Sequence, residues 1–217
     1  MADLETNLGV RAYRYRNWRL LEPTIAEIRC RLMAGQVFVD GGANIGLFTL
    51  YGALSVGASG RVVAFESAPG AIRALTENVQ LNGFQWVEIA TDALSDRAGR
   101  QEFLDLGQAS GFSSFAPKQV GGTRITVDTV RLDDAVPNPE MVGLVKLDLE
   151  GAEVAALRGA PRLLAAGAPF LVEIEEEHLQ RQGATAGEVY EMFRSSGYHW
   201  RELPPGPNVL FEPGTGR

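Results

Sequence analysis

Short apolar runs alternate along the chain with segments whose apolar positions recur every three or four residues. VFVD (37–40), RVVAFE (61–66), WVEIATDAL (86–94), LVKLD (144–148) and FLVEIE (170–175) are the runs, and they predict buried strands. Helical spacing marks IAEIRCRLMA (25–34), residues 44–55, residues 70–81, AEVAALRGAPRLLAAG (152–167) and residues 185–196. Glu22-Pro23-Thr24 opens the first of these helices, and Gly35, Asn82-Gly83 and Gly197 close helical stretches. Strands alternating with helices in this way predict an α/β fold built on a mostly parallel sheet with crossover helices.

Between Gly99 and Val130 the period changes. QEFLDL (101–106) and TRITVDTV (123–130) alternate every second residue and flank the Gly/Ser-rich GQASGFSSFAPKQVGG (107–122). This predicts an antiparallel pair and a long loop, inserted at about 99–130 in a domain running over 35–217. Loops of that length are usually functional or disordered, and the segment holding Phe112, Ser113, Ser114 and Phe115 reads either as a cover for a site or as a mobile loop. YHWRELP (198–204) and NVLFEP (208–213) predict a terminal hairpin and an antiparallel edge. Residues 1–34 form an N-terminal arm and helix, a candidate lid.

The 217 residues, 45% hydrophobic and 22% charged, suit one substantial core. A net charge of −7 argues against a nucleic-acid footprint, which needs clustered Lys and Arg. The basic cluster Arg11, Arg14, Arg16 and Arg19 is interleaved with Tyr13, Tyr15 and Trp18. It reads either as a solvated arm packed by its aromatics or as a contact for an anionic substrate. A single cysteine, Cys30, excludes an internal disulfide and offers no metal-ligand spacing. No apolar run approaches a membrane span, and the N-terminus lacks the basic-then-apolar order of a secretory signal. The expectation is a cytoplasmic protein without membrane contact.

The chemistry starts at VFVDGGANIG (37–46), where a strand enters a glycine-rich turn before a helix. Glycine admits close backbone approach, and the helix that follows presents free N–H groups. That alone fits a dinucleotide site or a plain turn. Glu66, ending the second strand, is placed to accept hydrogen bonds from a ribose diol, and Asp92, near the end of the third, to meet an adenine amino group. Asp40 aimed into the turn repels a pyrophosphate and pairs with an ammonium. S-adenosylmethionine carries that ammonium and no phosphate, so the charge pattern favours it over NAD.

VFVDGGANIGLFTL, VVAFESAPGAIRALTENVQLNG, VKLDLEGAEVAALRGA and FLVEIEEEH, taken in order, resemble the successive motifs of the FkbM family of S-adenosylmethionine-dependent methyltransferases. The resemblance spans roughly residues 35–200. It implies a class I methyltransferase (Rossmann-like) fold: seven strands in the order 3-2-1-4-5-7-6, the seventh antiparallel, with helices on both faces. It implies that Asp40, Gly42, Asn44 and Gly46 line the methionine and ribose side, that Glu66 holds the ribose, and that Asp92 and Ala93 meet the adenine. Ser67 stands where the family usually has proline directly after the glutamate, which shifts the turn at that contact. The acceptors implied are hydroxyls on sugars, polyketides and other secondary metabolites.

Methyl transfer to a hydroxyl requires alignment, exclusion of water and a route for a proton. Lys146, Asp148, Glu150 and Glu153 form KxDxEGxE around the fourth strand end. Alternation sends Lys146 and Asp148 to one side, which makes Asp148 an orienting or cofactor-side group. Glu150 and Glu153 equally suit acids at a helix N-terminus. After the fifth strand come Glu173, Glu175, Glu176, Glu177 and His178, an acidic run that reads as a solvated loop. Glu173 at the strand end and His178, whose ordinary titration lies near neutrality, are the candidates for acid–base work, with His178 as base. Asp148, Glu173 and His178 also suit a divalent ion, but their spacing does not demand one and no metal is expected. N-methyl transfer, a nicotinamide dehydrogenase and a catalytically silent adenosine-ligand binder are the alternatives.

Overall fold

The computed structural model describes residues 18–105 and 122–214, with backbone alone over 18–22. The basic arm and the Phe112–Phe115 segment lie outside the described residues. The chain enters as α1 (Trp18–Arg31) and proceeds through β1 (Val37–Gly41), α2 (Leu47–Val56), β2 (Arg61–Phe65), α3 (Pro69–Leu81) and β3 (Val87–Ala90). Then come β4 (Ala93–Leu94), β5 (Gly99–Asp105), β6 (Thr123–Val130), α4 (Leu132–Ala135) and β7 (Val142–Leu147). It closes with α5 (Glu153–Arg158), α6 (Pro161–Ala166), β8 (Phe170–Glu173), α7 (Glu176–Arg181), α8 (Ala186–Ser195), β9 (Tyr198–Glu202) and β10 (Asn208–Pro213).

Seven strands form one sheet in the order β3-β2-β1-β7-β8-β10-β9. Every pairing among β3, β2, β1, β7 and β8 is parallel, and β10 runs antiparallel to both its neighbours. This is the class I methyltransferase topology that the motifs imply. The strands read as continuous apolar runs because helices cover both faces. Alternate residues go to opposite layers: Val39, Val63, Val145 and Val172 pack with Leu157, Leu163 and Phe193. Phe38, Val62, Leu144 and Leu171 pack with Ile28, Leu50 and Leu75.

Three details depart from the sequence reading. The first helix begins at Trp18 and passes through Pro23, because burial of Ile25, Ile28 and Leu32 outweighs the one N–H that proline removes. The third run splits: β3 stays in the main sheet, while β4 crosses to pair with β6 in a three-stranded sheet that holds the expected β5–β6 pair. The acidic run after β8 forms the short helix α7 instead of a loop. The terminal hairpin makes the expected antiparallel end of the sheet: β10 lies between β8 and β9, with Val209, Leu210 and Phe211 buried, whereas the edge strand β9 exposes four of its five residues. No described helix is long and apolar enough to cross a membrane.

Candidate active site

The floor of the site is the carboxyl edge of β1, β2 and β3. Gly41, Phe65 and Ala90 stand level across it. Asp40 lies one residue below that row, Glu66 one above and Asp92 two above, so the three acids are staggered where the sequence suggested a single register. The turn begins after Gly41, a residue later than expected, and Asp40 is consequently sealed beneath it, fully buried. Its Oδ2 accepts a 2.6 Å hydrogen bond from the Thr49 hydroxyl in the first turn of α2. Its Oδ1 lies 3.9 Å from Lys146 Nζ and has no hydrogen-bond partner among the described residues. Burial pushes the Asp40 carboxyl above its ordinary value, against the opposing pull of Lys146 and Thr49. Thr49 is not legible in the sequence, because a lone threonine inside an apolar helix carries no signal of a buried acid nine residues earlier in the preceding strand.

The turn itself is shaped by its neighbours. Gly42 has φ 78°, and a Cβ there would sit 1.9 Å from the Asp148 carbonyl oxygen, so only glycine lets the turn close against the end of β7. Asn44 takes the left-handed conformation, φ 51°, which aims its N–H at Glu66 Oε2 at 2.8 Å. Glu66 Oε1 accepts from the N–H groups of Ser67 (2.9 Å) and Ala68 (2.8 Å). Burial raises the Glu66 carboxyl and these three N–H groups oppose the rise. Held on both oxygens, the carboxylate keeps lone pairs for a diol. Gly46 caps α2 without a side-chain hydrogen bond, leaving the N–H groups of its first turn uncapped by any side chain.

Hydrogen bonds to Glu66 thus join Asn44 and Ser67, and Gly42 and Gly46 lie on the same turn as Asn44. Asp92, half-buried, and Ala93, buried, follow β3, whose Ala90 carbonyl accepts the Glu66 N–H at 3.0 Å. Buried acceptors without partners, Asp40 Oδ1 and Asn44 Oδ1, fit a ligand that brings donors. S-adenosylmethionine, with an ammonium, a ribose diol and no phosphate, suits this donor–acceptor pattern; a pyrophosphate would face two carboxylates.

Beyond the floor, Asp148 follows β7 and Glu173 ends β8, and the two strands stand level one residue earlier at Leu147 and Val172. The Asp148 N–H donates to the Gly41 carbonyl at 3.0 Å, tying this region to the turn. Lys146, fully buried, donates to Asp148 Oδ2 at 3.1 Å and lies 4.6 Å from the centroid of the Phe48 ring. Burial works to raise the Asp148 carboxyl, but Lys146 and a hydrogen bond from Glu173 bring it below its ordinary value. Glu173 answers that charge: repulsion by Asp148, then burial, pushes its carboxyl up to about 10. Glu173 is therefore the protonated partner of the pair at neutral pH.

Glu150 sits in the turn after β7 with φ 52°. Gly151 next to it packs so closely on α7 that a Cβ would lie 2.2 Å from the His178 carbonyl oxygen. This contact brings Glu150 Oε2 to 3.0 Å from His178 Nδ1. Burial, then the charges of Asp148 and Glu153, push the Glu150 carboxyl up to about 8. Glu153 does behave as a helix N-terminal acid, accepting from the N–H groups of Leu149 (2.7 Å) and Gly151 (3.4 Å), and burial pushes it up to about 7. The structure therefore separates two acids that the sequence treated alike. Donor atoms of Glu150, Glu173 and His178 all lie within 4.8 Å of one another. Glu150 takes the place in this group that the sequence gave to Asp148.

Residues 40–200 match the family model of the methyltransferase FkbM domain. Methyltransferase 1 of Beauveria bassiana is 30% identical over 142 residues, covering 56% of this chain and 57% of that protein. Methyltransferase sdnD of Sordaria araneosa is 28% identical over 160 residues, covering 59% and 61%. The chain thus spans about three fifths of the length of these curated relatives. The crystal structure of methyltransferase FkbM from Methylobacillus flagellatus shares the fold, with a TM-score of 0.55 at 17% identity over 84% of this chain and 44% of that one. With its motifs in order on the strand ends and the family model covering most of its length, this chain belongs to the FkbM family of methyltransferases.

Proposed function

We propose that this protein transfers the methyl group of S-adenosylmethionine to a hydroxyl of a small molecule. The observation that carries the reading is the junction of two differently charged regions over one sheet edge. A floor of carboxylates and backbone N–H groups, suited to a cationic, phosphate-free cofactor, adjoins a cluster of Asp148, Glu173 and His178, suited to holding a hydroxyl and its proton. Asn44 offers an acceptor to the ammonium with the Asp40 charge beneath the turn, Glu66 and Ser67 serve the ribose, and Asp92 and Ala93 serve the adenine. Bound there, S-adenosylmethionine supplies an electrophilic methyl group on a sulfonium. The cluster of Asp148, Glu173 and His178 would hold the acceptor hydroxyl in line with that methyl group and take up its proton as the methyl group passes to oxygen and the electron pair stays on sulfur. Acceptors of the sugar, polyketide or other secondary-metabolite class, and a cytoplasmic setting, belong to the same proposal.

The test is methyl transfer from labelled S-adenosylmethionine to matched panels of hydroxyl and amine compounds, by wild type and His178→Ala. Transfer to hydroxyls, reduced roughly 100-fold or more in the variant, is the expected result. Transfer to amines alone, indifferent to the variant, would replace O-methylation with N-methylation. Calorimetry that detects NAD but not S-adenosylmethionine would sink the methyltransferase reading altogether.

A further inference from the structure

Glu150, Glu173 and His178 come from three separate elements: the turn after β7, the end of β8 and α7. Their donor atoms nonetheless converge within 4.8 Å, and all three side chains are partly buried. Opposed ligands on a six-coordinate ion stand about 4.2 Å apart with bonds of about 2.1 Å, and about 4.8 Å apart at the longer bonds of larger ions. The group is therefore of a size that closes around one ion.

A second observation points the same way. His178 Nδ1 is sealed from solvent and has no hydrogen-bond partner among the described residues, although Glu150 Oε2 lies only 3.0 Å away. At that distance either a proton or a metal ion lies between the nitrogen and the carboxylate oxygen, and the two atoms are spaced as neighbouring ligands of one ion. Adjacent ligands of an octahedral ion with bonds of about 2.1 Å are separated by about 3.0 Å. Among the described residues, Lys146 pairs with Asp148 and Asp40, and Arg181, whose charge also reaches Glu150, pairs with Glu177.

We propose that Glu150, Glu173 and His178 bind one divalent transition-metal ion of the Mn2+ type, which holds the oxygens of the acceptor; the role, though not the site, rests on the methyl-transfer reading above. One imidazole disfavours Mg2+ and Ca2+, while two carboxylates suit Mn2+. Three protein ligands leave positions open for substrate. An acceptor with two adjacent oxygens, a vicinal diol or an α-hydroxy carbonyl compound, fills such positions through both.

The experiment titrates Mn2+ into chelator-stripped protein and follows loss of the free-ion electron paramagnetic resonance signal. Wild type is expected to bind one ion, and Glu173→Gln and His178→Ala to weaken binding at least about tenfold. Calorimetry with S-adenosylhomocysteine identifies variants that retain the fold, and Glu150→Gln replaces any that does not. No loss of free signal at millimolar Mn2+, or equal affinity in wild type and all folded variants, overturns the site. Methyl transfer to hydroxyls that persists in excess chelator overturns the role of the ion while O-methylation stands. Mn2+ held by these residues, with no transfer to any hydroxyl compound, overturns the O-methylation reading and leaves the metal site intact.

Discussion

The two halves of the site treat their acids in opposite ways. On the cofactor side, Glu66 is held by three N–H groups from residues 44, 67 and 68, and Asp40 by Thr49 nine residues on. On the side proposed for the acceptor, Asp148, Glu150 and Glu173 face one another, and the cost appears as carboxyls pushed up to about 8 and about 10. Backbone donors preorganise the first group for a fixed ligand. Mutual repulsion leaves the second group ready to gain a proton or a cation, which is useful where a proton must move. Lys146 sits between them, within 3.9 Å of Asp40 and 3.1 Å of Asp148.

The sharpest way to break the comparison is at the junction. Gly42→Ala would drive a Cβ into the Asp148 carbonyl and force the turn away from β7. We expect it to abolish S-adenosylmethionine binding in calorimetry and to lower stability by roughly 2–4 kcal/mol in urea titration, as overpacking with left-handed strain demands. Binding within a few-fold of wild type would show that the turn is not held by that contact.

Removing the shared cation comes next. Lys146→Met leaves Asp40 buried without its positive neighbour and releases Asp148, and a loss of about 3 kcal/mol in urea titration is expected. A stability change under about 0.5 kcal/mol, the range of an ordinary surface substitution, would mean that the two regions are electrically independent.

Glu66→Ala addresses the cofactor half alone. Loss of charge-assisted hydrogen bonds worth about 1.5–3 kcal/mol predicts S-adenosylhomocysteine affinity lower by roughly 10–100-fold, with Mn2+ affinity unchanged. A parallel loss of Mn2+ binding would show that the halves are coupled through more than Lys146.

The smallest effect is a pH slope. Glu153 titrates at about 7 when folded and near its ordinary carboxylate value when unfolded, so the folded state binds the extra proton between those values. Its contribution to stability is present below the unfolded value and lost as pH rises through about 7. The melting temperature should therefore fall between pH 5 and pH 8, and Glu153→Gln should flatten that fall. An unchanged slope in the variant would assign the pH dependence to other groups.

Much of the fold was legible because periodicity and glycine punctuation are local properties. VFVD, RVVAFE, LVKLD and FLVEIE became β1, β2, β7 and β8, and their order with the terminal hairpin matches the expected sheet. The break between β3 and β4 was not legible, since WVEIATDAL reads as one apolar run and only the partner strand β6 draws its end away. Pro23 misled for the opposite reason: a strong local signal yielded to the burial of Ile25 and Ile28.

The same division runs through the site. The chain alone pointed to the half proposed for the cofactor, because strand, turn and helix N-terminus are contiguous and their residues find one another through nearby backbone. Tertiary structure decided the acceptor half. Nothing in the order of residues distinguishes Glu150 from Glu153; three positions on a bent turn send one to His178 and the other to its own helix end. Nor does sequence show that Glu173 carries a proton, a property created by Asp148 arriving on the neighbouring strand. Interactions between charges depend on distance and burial, and both are settled only when distant segments pack together.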